Sequence, residues 1–132
     1  MRRAVLLVAL AATLTGCSAV SGPSDEQLVA RTVSAFGRAT AAKDYAALCN
    51  RLLAPSLIEK VEEIGLPCEQ ALAKALGDVE DPRLTIGEIK VTGDRATAEI
   101  RTSAAGQAPS RDTLELEKVR EGWRIASLGA GS

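Results

Sequence analysis

The chain has 132 residues, with sixteen basic and seventeen acidic side chains, no histidine, and one each of Phe, Tyr and Trp. A nearly neutral chain with no basic block and no interleaved aromatics excludes the usual nucleic-acid binders. Without histidine, the commonest general base and metal ligand is missing from its chemistry.

Met1-Arg2-Arg3 is a short positive start, Ala4 to Leu14 is apolar apart from Thr13, and Leu14-Thr15-Gly16-Cys17 follows. That is the layout of a secretory signal: charge, apolar core, small residues at the cut. A membrane-spanning helix needs about 20 apolar residues, and a helix of a globular core shows a polar face; this run has neither. The last four residues resemble the lipobox of bacterial lipoproteins. The resemblance implies cleavage between Gly16 and Cys17 and lipidation of Cys17. Two acyl chains on one residue hold a protein stably on a membrane. The expected division is a signal peptide over 1–16, a lipidated tether over 17–23 and one α+β domain over 24–132, at the extracytoplasmic face of the cell membrane. Six tether residues, Ser18 to Pro23, reach only about 20 Å when extended.

Without the signal, fourteen basic residues stand against seventeen acidic ones. Cys49 and Cys68 are left as an even pair outside the cytosol, which reads as a disulfide. The bridge closes a loop of about 20 residues and stabilises by about 3 kcal/mol in the chain-entropy model. Zinc takes four ligands and a nucleophilic cysteine takes an activating base; the chain supplies neither. No metal, no cofactor and no catalytic residue is expected.

Ser24-Asp25-Glu26-Gln27 reads as a capping box. Leu28, Val29, Val33, Phe36 and Ala39 follow at helical spacing, which predicts a helix from Asp25 to Ala42. Asp44 is the N-cap of a second helix with Tyr45, Leu48, Leu52 and Leu53 on its apolar face. Pro55 ends that helix, and Ser56 to Glu59 reads as a second capping box opening a third, through Leu57, Ile58, Val61 and Ile64 to Gly65. Pro67 opens a fourth, through Cys68, Ala71, Leu72, Ala75 and Leu76 to Gly77. The ridge Glu59, Glu62, Glu63 reads as a wet helix face.

After the acidic loop Asp78 to Arg83 the period changes to two. Leu84 and Ile86 have one parity, Ile89 and Val91 the other, so a β-bulge is predicted at Gly87-Glu88. Thr92-Gly93-Asp94 turns the chain. Ala96, Ala98 and Ile100 face inward from the next strand. Ser103 to Asp112 reads as a polar loop. Leu114 and Leu116 face inward from a third strand, and Trp123, Ile125 and Leu128 from a fourth. Helices first and strands after indicate an α+β fold with a four-stranded antiparallel meander.

This order resembles the nuclear transport factor 2-like fold, a cone of curved sheet around helices. More narrowly it resembles small actinobacterial lipoproteins with a SnoaL-like domain. The resemblance rests on Ala41-Ala42-Lys43-Asp44-Tyr45, the Cys49 and Cys68 pair, Gly93 to Ala98, and Gly122-Trp123-Arg124-Ile125. It implies a pocket between sheet and helices, and the candidate lining residues are Tyr45, Ala96, Ala98, Leu116 and Trp123. Small Ala96 and Ala98 leave either a cavity or close helix–sheet packing. Tyr45 reads as a core ring more readily than as a pocket donor.

Isomerases of this fold need an inward carboxylate base with hydrogen-bond donors for an oxyanion. Asp44 and Glu99 both read as outward-facing. Asp78, Glu80 and Asp81 read as a solvated turn rather than a calcium site, which takes six to eight oxygens. The expectation is a non-catalytic, membrane-anchored module binding a small apolar ligand. The competing expectation is an envelope-protein interaction module or a homodimer formed through the sheet.

Overall fold

The computed structural model describes residues 22–129 and, ahead of them, Gly16 alone, which is exposed. Cys17 and the rest of the signal segment lie outside the described residues. Helix α1 (Asp25–Ala41) starts as its sequence dictates. Gln27 N donates to Ser24 Oγ at 3.2 Å and Ser24 N donates to Gln27 Oε1 at 3.0 Å, the reciprocal pair of a capping box. Asp25 and Glu26 in the first turn complement the positive end of the helix dipole. Val29, Val33 and Ala39 bury the inner face.

Lys43, at φ 54°, takes the left-handed step out of α1. Asp44 Oδ1 then accepts from Ala47 N at 2.9 Å and caps the short α2 (Tyr45–Ala47). The sequence spacing predicts one regular helix here. Instead α2 widens into a π-helical turn, Leu48–Leu52, which buries Leu48 and Cys49 together. The next residue, Leu53, is extended: it pairs with Ile125, and Ala54 N donates to the Ile125 carbonyl at 2.8 Å.

Helix α3 (Pro55–Glu62) begins on the proline itself. The capping box expected at Ser56 does not form. Pro55 occupies the first helical position, where its missing N–H is no loss, and Ala54 is the N-cap. Ser56 Oγ turns to Glu117 Oε1 instead, at 3.4 Å. Ile64 falls past the end of α3 and is 63% exposed, so it joins no apolar face. Helix α4 (Cys68–Leu76) follows Pro67. One member of the glutamate ridge is more than a wet surface: Glu62 Oε1 accepts from Cys68 N at 3.0 Å and caps α4 from α3. Beside that cap, Cys49 and Cys68 are disulfide-bonded with their Cα atoms 6.0 Å apart.

Strands β1 (Arg83–Thr92), β2 (Arg95–Ala104), β3 (Gln107–Val119) and β4 (Gly122–Ser127) form an antiparallel meander in sequence order. The β1–β2 register shifts between Ile86 and Ile89, the bulge that the parity change predicts. Ser103 to Asp112 is not a loop. It is the end of β2, a tight turn at Ala105-Gly106 and the start of β3, with Arg101 opposite Arg111 and Thr102 opposite Ser110. Its residues read as a loop because they are polar, and they are polar because burial fades beyond Ile100 and Leu114. Pro109 sits where the register shifts, a position that tolerates a missing N–H. β4 stops at Ser127, so Leu128 lies beyond it and is 40% exposed.

Ala96, Ala98, Ile100, Leu114, Leu116, Trp123 and Ile125 line the helix-facing side of the sheet, all buried, against Val29, Val33, Leu48, Leu53 and Leu72. Trp123 is fixed at its polar edge: its Nε1–H donates to Asp25 Oδ1 at 3.0 Å, and Lys118 Nζ donates to the same oxygen at 2.8 Å. These two bonds clamp the start of α1 onto β3 and β4. Among the described residues no helix is long and apolar enough to cross a membrane.

Candidate functional site

The five residues nominated from sequence do not gather around one opening. Ala96, Ala98, Leu116 and Trp123 are each less than 5% exposed and belong to the core, and Tyr45 packs part-buried against it. Ala96 and Leu116 border a shallow hollow of about 390 Å³ with Lys90, Arg95 and Glu115. The sequence-adjacent carboxylate, Asp44, is occupied in capping α2.

A hollow on the helix side of the sheet lies farther along the strands, where they outrun the core. It has a volume of about 180 Å³. Helix α1 supplies Gly37 and Thr40, one turn apart on the same face. A Cβ on Gly37 would lie 3.3 Å from Leu84 Cβ, so its bare backbone sets how closely α1 approaches β1. The strands supply Leu84, Thr102 and Ser110, and Val79 and Pro82 close one side. That closing segment is tied down at three points. Lys43 Nζ donates to the Gly77 carbonyl at 2.7 Å and stands 3.9 Å from Glu80 Oε1, while Ala105 N donates to the Glu80 carbonyl at 2.9 Å. Asp81 in the same segment is left-handed, at φ 47°. The acidic loop is thus a strap across the end of the fold, and among the described residues no three acids, cysteines or histidines gather as metal ligands do.

The polar groups of the hollow have a direction. Ser110 Oγ donates to Asp112 Oδ2 at 3.1 Å, which commits its single proton. The 2.9 Å contact between Ser110 and Thr102 is therefore donated by Thr102. Thr102 Oγ1 keeps its remaining acceptor capacity. Across the hollow, Thr40 Oγ1 is buried with no hydrogen-bond partner among the described residues. Buried hydroxyls are normally paired, and an unpaired one costs about 1–3 kcal/mol. Thr40 Oγ1 is covered from solvent as well as unpaired, so a molecule in the hollow would reach it only with a small shift of the residues around it. The arrangement can hold a small molecule that donates to Thr102 Oγ1 while its body rests on Leu84, Val79 and Pro82 beside Thr40.

Thr40, Thr102 and Ser110 were not nominated from sequence. The usable signal is strand parity: counting back by twos from Leu114 reaches Asp112 and Ser110, and the same count forward from Ile100 reaches Thr102. For Thr40 only the step of three from Gly37 places it on the sheet-facing side.

No family model and no curated protein sequence matches the chain. Solved structures do. An NTF-2-like protein of unknown function from Silicibacter pomeroyi DSS-3 aligns with a TM-score of 0.55 at 21% identity, covering 76% of this chain and 88% of that one. An NTF2-like protein of unknown function from Shewanella baltica OS155 aligns at 0.50 and 16% identity, covering 76% of this chain and 86% of that one. A SEC-C motif containing protein from Rhodopseudomonas palustris aligns at 0.53 and 18% identity, over 76% and 83% of the two chains. At these identities the likeness speaks for architecture alone: the chain has the nuclear transport factor 2-like fold, an α+β cone of four-stranded antiparallel sheet around helices.

Proposed function

We propose that this chain is a bacterial lipoprotein, anchored through Cys17 at the extracytoplasmic face of the membrane, whose domain binds a small ligand without catalysis. The observation that supports the binding reading is a hollow lined by Thr40, whose buried hydroxyl has no partner among the described residues, and by Thr102 on the opposite wall. A volume of about 180 Å³ is below the roughly 300–1,000 Å³ of sites for drug-sized molecules. The ligand is therefore small, or one end of a longer molecule. The walls mix hydroxyls with Leu84, Val79 and Pro82, which favours an apolar body carrying a polar end over a wholly apolar ligand.

The non-catalytic reading rests on residue types. The chain has no histidine, and Asp112, the carboxylate nearest the hydroxyls, is engaged by Ser110. Anchoring rests on the signal layout and lipobox of residues 1–17, and export agrees with the Cys49–Cys68 disulfide. Ligand binding is preferred to an apolar protein-docking face because the large exposed hydrophobics among the described residues are Ile64 and Leu128, single side chains rather than a patch of several hundred Å².

Thr40→Val tests the binding reading on the ligand-free protein. Valine keeps the shape and removes the unpaired hydroxyl. The expected outcome in chemical denaturation is unchanged stability or a gain of up to about 1 kcal/mol. A loss of that size or more would mean that the hydroxyl has a structural partner and is not held for a ligand.

A further inference from the structure

The face of the sheet turned away from the helices carries a second, wider concavity of about 710 Å³. Its walls are the outward residues of three strands: Thr85 and Gly87 from β1, Glu99 and Arg101 from β2, Arg111 and Thr113 from β3. Arg101 and Arg111 are direct cross-strand partners, and both are exposed. Facing side chains in an antiparallel pair have Cβ atoms about 4.5–5.5 Å apart, and like charges placed so are destabilising. Two other cations on this face have an acid nearby: Arg95 lies 3.8 Å from Glu117 and Lys90 3.5 Å from Glu88. Among the described residues neither Arg101 nor Arg111 has a carboxylate within 4.0 Å.

Two glycines shape the trough. Gly87, in the bulge, lies over Glu99 and leaves bare backbone at the floor, where a Cβ would come to ordinary contact distance, 3.4 Å, from Glu99. Gly129, at φ +79°, runs against β3 so closely that a Cβ would lie 3.0 Å from the Thr113 carbonyl, and it makes the rim. The Glu99 carboxylate restricts an anion to the arginine end of the trough.

We infer that Arg101 and Arg111 form a binding site for a phosphate group. Two guanidinium forks side by side match a tetrahedral dianion, to which each can donate two parallel hydrogen bonds. Thr85 and Thr113, one on each flanking position of the trough, add hydroxyl donors. The unfavourable Arg–Arg pairing is relieved when the anion is bound. Two sources carry this chemistry, free phosphate and a phospholipid headgroup. The site is separate from the Thr40 hollow on the other side of the sheet, so either can fail alone.

The test follows the arginine Nε–Hε resonances of the full chain, extracted in non-ionic detergent and free of phosphate buffer, during titration with inorganic phosphate and, separately, with dihexanoylphosphatidic acid. A saturable shift of both arginines is expected, with affinity reduced at least about tenfold in Arg101→Gln and in Arg111→Gln. Each variant should unfold at the same or a slightly higher temperature than wild type, because a like-charge pair is removed. A response to inorganic phosphate identifies the free ion as sufficient. A response confined to the lipid identifies the headgroup. No saturable shift with either probe, or undiminished binding in both variants, overturns the inference.

Discussion

Asp25 shows how one side chain can fix the position of a helix. Its carboxylate takes the Lys118 ammonium and the Trp123 indole N–H on the same oxygen. The Lys118 hydrogen bond, then the Trp123 one, together with the charge of Lys118, hold its pKa below the ordinary carboxylate value against a smaller opposing effect of burial. A carboxyl whose pKa is lowered by folding stabilises the fold while it is ionised. That contribution is complete above the unfolded pKa of about 4 and fades as pH falls through the lower folded value. Asp25→Ala should therefore be less stable than wild type at neutral pH, with the gap closing in acid. Urea unfolding at several pH values measures it, and a gap that stays constant down to about pH 2 would contradict the assignment. None of this was legible in the sequence. Asp25 reads there only as a first-turn acid, since its partners lie 93 and 98 residues away.

At the scale of elements, local chemistry was readable and the joints between elements were not. The α1 capping box, the Asp44 cap, the bulge after Ile86 and the inward parity of β2, β3 and β4 all follow from residue spacing. The π-helical turn does not, because it results from Leu53 and Ala54 being drawn onto β4. The polar β2–β3 extension looked like a loop because strand signals depend on burial, and that end of the sheet has little. The same misreading hid Ser110, the cross-strand partner of Thr102, and with it the hollow. The sequence left open whether Ala96 and Ala98 border a cavity or pack closely; both are covered members of the core. The disulfide was legible from cysteine arithmetic once the lipobox reading set Cys17 aside. It ties the π-helical turn to the first residue of α4, whose N-terminus has no cap from its own Pro67 and borrows Glu62. Replacing both cysteines by alanine should cost about 3 kcal/mol for a bridge of 19 residues' separation. Equilibrium unfolding checks this, and a double variant as stable as wild type would show that helix packing suffices.

At the scale of the whole molecule, one cone presents two different faces. The helix side holds a closed core with a small hydroxyl-lined hollow at its end, and the outer side holds the arginine trough. The proposed anchor precedes α1 by only a few residues, so a lipid on Cys17 would keep both within a short distance of the membrane surface. Cys17→Ser should abolish lipidation and release the protein from the detergent-rich phase in phase partitioning; a variant that still partitions with detergent would contradict the anchor.

The binding claim is tested most directly by native mass spectrometry of the wild-type chain, purified from an oxidising compartment and never reduced, beside Thr40→Val. The expected result is a wild-type mass with the disulfide formed and a small-molecule adduct, and the adduct lost or strongly depleted in Thr40→Val. A bare wild-type mass, or an adduct retained equally by both proteins, would contradict a ligand site at Thr40.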